Sequence, residues 1–243
     1  MTRRLYSTGF WAFLVVTSIA LFPVALVVWA VTLPFDRRRG VLHQFTNVWA
    51  SLYTWVNPLW PVTVTGREKI RRGETYVMVS NHLSLLDILV LHRLFRHFKW
   101  VSKIENFQIP FIGWNMRLNR YIELRRGDRE SVVQMMAECE RTLRAGSSIL
   151  MFPEGTRSRD GELQAFKTGA FELALSTHTP ILPIVIEGTR NALPKRGFVL
   201  QGHHPIRVRV LDPIPAESFA HMSAKELAEQ TRSLYARALS APV

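Results

Sequence analysis

A histidine and an aspartate stand five residues apart in Asn81-His82-Leu83-Ser84-Leu85-Leu86-Asp87. On one continuous helix such residues point ~140° away from each other, by the 3.6-residue period. They meet if His82 lies in the turn before a helix and Asp87 lies in its first turn. Ser84 and Asp87 have the spacing of a capping box, with Ser84 at N-cap and Asp87 at N3. In that geometry Asp87 accepts from one ring nitrogen of His82 and leaves the other free as a base. The plainer reading of so short a string is a capping aspartate beside a loop histidine. A second constellation is Phe152-Pro153-Glu154-Gly155-Thr156-Arg157-Ser158, which reads as a turn. It presents one carboxylate and one guanidinium, and Gly155 lets backbone approach a ligand. Taken alone it is equally a solvated turn.

Both constellations need elements that hold them. Residues 62–66, 75–81, 99–103, 120–124, 147–152, 181–188 and 206–211 read as strands. Residues 85–95, 128–144, 166–175 and 223–239 read as helices; the second carries Val132, Met136, Cys139 and Leu143 as a stripe, and Gly146 ends it. The alternation predicts an α/β domain over 61–243, with a mixed, largely parallel sheet flanked by helices. ILMF and ILPIVI are continuously apolar, as parallel strands buried on both faces are. Each constellation then follows the carboxyl end of a strand, where open α/β sheets bind ligands.

Residues 1–60 read as membrane-associated helices. Thr8 to Phe35 carries no charge, and as a helix it would be ~42 Å long at ~1.5 Å per residue. That exceeds the ~30 Å hydrocarbon core, so the segment can span with tilt or lie re-entrant in one leaflet. Pro23 predicts a kink. Arg3 and Arg4 precede the run and Arg37 to Arg39 follow it; basic residues at both ends favour the one-leaflet anchor. Between Gly40 and Pro61, apolar residues recur at steps of three and four. Three Trp and a Tyr there suit an amphipathic interfacial helix, whose other face carries His43, Gln44, Asn47, Ser51 and Thr54. A core helix would show the same stripe.

Composition narrows the chemistry. The 243 residues are 47% hydrophobic and carry a net charge of +12, which excludes a disordered or fibrous chain. Twenty-five of the 31 cations are Arg, a residue suited to bidentate pairing with phosphate or carboxylate. The single cysteine, Cys139, excludes an intramolecular disulfide and reads as packing on its helix stripe. His203 and His204 lack a coherent ligand set, so no metal is implied. Phosphate loops of the G-x4-GK[ST] and G-x-G-x-x-G types are absent, as is a G-x-S-x-G nucleophile elbow.

The two constellations together, in this order and on these strand ends, resemble the glycerolipid acyltransferase family, and within it the bacterial 1-acylglycerol-3-phosphate acyltransferases. The family's NHxSxxD block is Asn81 to Asp87, and its FPEGTRS block is Phe152 to Ser158 at every position. Tyr121 to Arg126 resembles the acceptor-binding block, with Arg126 at the family's arginine. Leu182 to Gly188 resembles the late proline-containing strand, and Lys103 looks like a family lysine near the acceptor phosphate.

The resemblance implies acyl transfer from a thioester, acyl-CoA or acyl carrier protein, to the sn-2 hydroxyl of lysophosphatidic acid, with no resident cofactor. His82 would be the general base and Asp87 would orient it, within a ternary complex. Asn81 and Ser84 would support them. Lys103, Arg126 and Arg157 would grip the acceptor phosphate beside Gly155 and Thr156. Glu154 is left with two roles, positioning the glycerol hydroxyl or holding Arg157. The resemblance also implies the inner, cytoplasmic membrane, with the site facing the cytoplasm and membrane lipids as partners. Two other readings are a family member acting on another lysolipid and a non-catalytic basic protein binding membrane or nucleic acid. No nucleic-acid-binding motif supports the latter.

Overall fold

A computed structural model of the chain describes residues 2–158, 160–193 and 198–240. Helices α1 (Thr2–Thr32) and α2 (Gly40–Trp55) come first. Strands β1 (Val62–Thr65) and β2 (Val77–Ser80), helix α3 (Leu86–His92), strand β3 (Phe98–Lys103), helix α4 (Ile112–Leu118) and strand β4 (Ile122–Leu124) follow. Next are helix α5 (Arg129–Arg144), strand β5 (Ser148–Met151), helix α6 (Gly169–Thr177), strand β6 (Ile181–Glu187) and helix α7 (Thr189–Ala192). Strand β7 (Ile206–Val210) and helices α8 (Ala216–Phe219) and α9 (Ala224–Ser240) close the chain.

The seven strands form one sheet in the order β1-β7-β6-β2-β5-β3-β4. Every pairing is parallel except β6 with β7. The run β6-β2-β5-β3-β4 is therefore wholly parallel, and its carboxyl ends share one edge. The sheet is mixed and largely parallel, flanked by helices on both faces.

Alternation along the central strands splits the core in two. Met78, Leu150 and Leu182 face Leu42, Tyr53 and Trp60 beneath α2 and α3. Val77, Val79, Ile149 and Met151 face Cys139, Phe171 and Tyr235 beneath α5, α6 and α9. Both central strands, β2 and β5, are buried at every position, and apolar except at Ser80 and Ser148. Helix α5 starts where Asp128 caps Ser131 N at 3.2 Å. Helix α4 is an element that periodicity did not reveal. Its second residue, Gly113, lies so close to Phe107 that a Cβ would stand 2.3 Å from that carbonyl oxygen.

Helix α1 runs unbroken through Pro23. One face packs on α2, α4 and the segment after residue 197: Phe10 is buried, Phe22 meets Trp114, and Trp11 Nε1 donates to Phe198 O at 2.7 Å. The other face leaves Val15, Val16, Ile19, Val27 and Val31 exposed.

Helix α2 is amphipathic, but its polar residues point inward. His43 Nε2 donates to Arg96 O at 3.1 Å, and Tyr121 Oη donates to His43 Nδ1 at 2.8 Å. His92 Nδ1 donates to Asn47 Oδ1 at 2.7 Å, while its Nε2 accepts from Trp100 Nε1 at 3.2 Å. Of the aromatic residues that suit a membrane interface, Trp49, Tyr53 and Trp60 are buried and Trp55 is exposed. The 40–61 segment is thus a helix of the core on one side, with Val41, Val48 and Val56 outward.

Candidate active site

The histidine block begins where β2 ends. Asn81 extends the β2–β6 pairing with its side chain, accepting from Ile186 N at 2.8 Å and donating to Ile186 O at 2.9 Å. The main chain of His82 is clamped from the other side by the 152–158 turn. His82 N donates to Glu154 Oε1 at 2.7 Å, and Ser158 N donates to His82 O at 2.8 Å. Strands β2 and β5 are neighbours in the sheet, so the two constellations are joined through backbone.

The His82 ring stacks on Phe152, centroids 3.9 Å apart and planes 11° from parallel. Its Nδ1 lies 2.8 Å from Asp87 Oδ2. A carboxylate only accepts, so Nδ1 carries a proton, and in the neutral ring Nε2 is the nitrogen with the lone pair. No hydrogen bond to Nε2 occurs among the described residues, and 13% of the side chain is exposed. That is the arrangement of a base with one nitrogen held and one nitrogen open.

Asp87 is fully buried and receives four donors. Oδ2 accepts from His82 Nδ1, Leu83 N at 2.6 Å and Ser84 N at 2.8 Å. Oδ1 accepts from the Thr189 hydroxyl at 2.5 Å. The expected capping box forms only in half. Asp87 takes the Ser84 amide as an N3 carboxylate would, but α3 begins later, with Leu85 at N-cap. The Ser84 hydroxyl accepts from Leu86 N at 3.3 Å and donates to Leu193 O at 2.6 Å, a partner outside the helix. Ser84 therefore ties the block to the chain after β6.

Both oxygens of Glu154 are engaged by backbone, Oε1 by His82 N and Oε2 by Gln164 N at 3.1 Å. Burial pushes its pKa above the usual carboxylate range, and those two amides pull the other way. Gly155 has φ +70°, and the Lys167 stem crosses over it, 2.8 Å from where a Cβ would be. Thr156 is exposed and Arg157 half-buried in the same turn. Lys103 ends β3, exposed, and Arg126 is exposed in the turn after β4. All sit at the shared carboxyl edge. At ~4.8 Å between strands, β3 is ~10 Å and β4 ~14 Å from β2. Lys103 is thus within reach of a ligand held at His82 and the 152–158 turn, while Arg126 borders the far side.

Thr189 went unrecognised in the sequence, as did the stacking role of Phe152 and the proximity of Lys167. The available signal for Thr189 was a Gly-Thr step at the carboxyl end of a buried strand. Cys139 packs against Met135 inside the core, and burial pushes its thiol pKa up, which fits packing and not nucleophilic attack. A groove of about 710 Å³ between β4 and α5, lined by Arg120, Glu123, Arg125, Gln134 and Arg141, does not include His82. Among the described residues no three His, Cys, Asp or Glu side chains are grouped to hold a metal.

Comparison with known proteins gives the family and the fold. Residues 61–187 match the acyltransferase family model. The 1-acyl-sn-glycerol-3-phosphate acyltransferase of Chlamydomonas reinhardtii is 40% identical over 76% of this chain and 55% of its own length. That of Limnanthes douglasii is 31% identical over 95% of this chain and 80% of its own. The Saccharomyces cerevisiae enzyme of the same name is 35% identical over 70% of this chain and 57% of its own. The chain thus spans little more than half the length of several curated relatives it matches. The crystal structure of the 1-acyl-sn-glycerophosphate acyltransferase from Thermotoga maritima shares the fold, with TM-score 0.78 over 99% of both chains at 22% identity.

Proposed function

The chain belongs to the acyltransferase family, and on that premise we propose that it moves a fatty acyl group from a thioester to the sn-2 hydroxyl of 1-acylglycerol-3-phosphate, giving phosphatidic acid. The observation that carries this reading is His82, held by Asp87 through Nδ1 and open at Nε2, beside the Glu154–Arg157 turn.

A thioester is already activated, so the alcohol is what must be made nucleophilic. His82 Nε2 takes the hydroxyl proton as the oxygen attacks the carbonyl carbon, an effect worth ~10²–10⁴-fold. The new C–O bond forms, the C–S bond breaks, and the imidazolium returns its proton to the departing thiolate. Asp87 holds the ring and stabilises the imidazolium. Both substrates are bound together, with no covalent acyl-enzyme. The donor is acyl-CoA or acyl carrier protein. Arg157 and Lys103, with Arg126 further out, bind the acceptor phosphate through charge-assisted hydrogen bonds. Glu154 also holds the His82 loop, since each of its oxygens accepts one backbone amide. The remaining lone pairs serve either of its two roles, positioning a glycerol hydroxyl or holding Arg157.

The reaction is placed on the cytoplasmic membrane, with the site on the cytoplasmic side where both donors occur. The bare outer face of α1 supplies the lipid contact.

The test is acyl transfer by detergent-purified protein, offered 1-acylglycerol-3-phosphate with either donor, for wild type and His82→Ala. Phosphatidic acid from wild type and at least a hundredfold less from the variant is expected. No product with either donor would overturn the acceptor assignment and turn attention to other lysolipids. Equal product from both proteins would remove His82 as the base.

A further inference from the structure

We propose that Thr189 is a positioning residue for acyl transfer: its hydroxyl fixes the Asp87 oxygen that faces away from His82, and thereby sets the direction and basicity of the imidazole. The inference rests on the function proposed above.

Asp87 and Thr189 are both fully buried, so no bulk water can stand in for a lost partner. Among the described residues, three of the four donors on Asp87 converge on Oδ2, and only the Thr189 hydroxyl, 2.5 Å away, serves Oδ1. This contact joins residues 102 positions apart and closes the dyad from behind.

The backbone around Thr189 is held independently of that hydroxyl. Two hydrogen bonds between Asn81 and Ile186 fix the chain before it. The bond from Ser84 to Leu193 O fixes the chain after it. At Gly188, φ is +87° and a Cβ would stand 2.1 Å from Pro205 O, so only glycine lets the chain turn there. Three hydrogen bonds therefore hold residues 186–193 against the 81–87 block, and the turn at Gly188 delivers the hydroxyl to Oδ1.

Removing it leaves a buried carboxylate oxygen with no donor among the described residues, a costly state. Two responses are open to the carboxylate. It can rotate to share its remaining donors, which swings the partner of Nδ1 and misdirects Nε2. Or it can stay and, with its charge less dispersed, hold the His82 proton more tightly, which raises the histidine's affinity for a second proton. The other acid facing this pair is Glu154, which takes the His82 amide and sees the Asp87 charge. It is unchanged in the variants and common to both arms.

The experiment compares Thr189→Val, Thr189→Ala and Thr189→Ser with wild type, each as the full chain in detergent micelles. Val keeps the shape without the donor; Ser and Ala differ only in the hydroxyl. Two readouts are taken: steady-state acyl transfer against pH, and the titration of His82 by ¹⁵N imidazole NMR, which needs no turnover. Expected are a kcat on the order of tenfold lower for Val and Ala, with KM for the lysolipid unchanged. The His82 midpoint should rise, and Ser should restore both. A His82 titration identical in all four proteins would overturn the proposal, as would Ser and Ala behaving alike. If Val does not fold, the Ser against Ala comparison decides. If wild type makes no phosphatidic acid, the proposed reaction fails, and the NMR arm still settles whether Thr189 sets the imidazole.

Discussion

The backbone amide of His82 donates to the buried Glu154 carboxylate at 2.7 Å, across two adjacent parallel strands. His82 and the 152–158 turn are thus one mechanical unit, and Glu154, which reads from the sequence as a substrate ligand, holds the main chain of the histidine.

Glu154→Gln should separate these roles. The amide oxygen can still accept from His82 N, but its NH2 then meets the Gln164 N–H, two donors face to face. The expected result is a kcat roughly tenfold lower, from one disturbed buried hydrogen bond, with KM for the lysolipid within twofold of wild type, roughly the precision of such kinetics. A rise in KM with kcat intact would show that Glu154 touches substrate.

Lys103 and Arg126 should differ in degree. Lys103 is two strands from His82 and Arg126 follows the strand beyond it. Lys103→Ala is expected to raise the KM for lysophosphatidic acid by roughly tenfold or more, the value of a lost charge-assisted hydrogen bond. Arg126→Ala should raise it less. Wild-type KM in both variants would remove them from phosphate binding.

Acid should weaken the seat of α2. Burial holds His43 well below the ordinary histidine value, His92 at about 3 and His97 at about 4. The unfolded chain binds more protons than the folded one between those values and about 6.5. Stability is therefore full above about pH 6.5 and falls as pH drops toward the folded values. Thermal melts from pH 7.5 to 4.5 should show a Tm that declines below about 6.5. His92→Asn should lower Tm at neutral pH yet flatten the decline. An unchanged slope would exclude His92 as a contributor.

The anchor should lie in one leaflet. Helix α1 packs along α2, and α2 is fastened to the α/β domain through His43, Asn47 and Thr54. Were α1 to stand across the bilayer, α2 and the domain would be drawn into hydrocarbon, where unsatisfied polar groups are costly. With the protein added to preformed vesicles and Cys139 replaced by Ala, Arg4→Cys and Arg37→Cys should both react with an impermeant thiol reagent. Protection of either one until detergent is added would show a spanning helix.

What the sequence by itself determined is local or periodic. The apolar runs of β2, β5 and β6 and the helices between them imply a parallel sheet, and a parallel sheet puts the chemistry at one edge. His82 and Asp87 are close enough in sequence for a single turn to bring them together. The tertiary structure decided what depends on distant partners. Periodicity says which residues of α2 share a face, yet not which face turns inward; His92, Arg96 and Tyr121 decide that by offering partners to its polar side. Ser84 looked like a cap because Asp87 is near, but its hydroxyl also bonds to Leu193 O, 109 residues away. Glu154 and Thr189 reach the dyad over 72 and 102 residues. No local pattern encodes such contacts, because the hydrogen bonds that make them exist only once strands β2, β5 and β6 lie side by side.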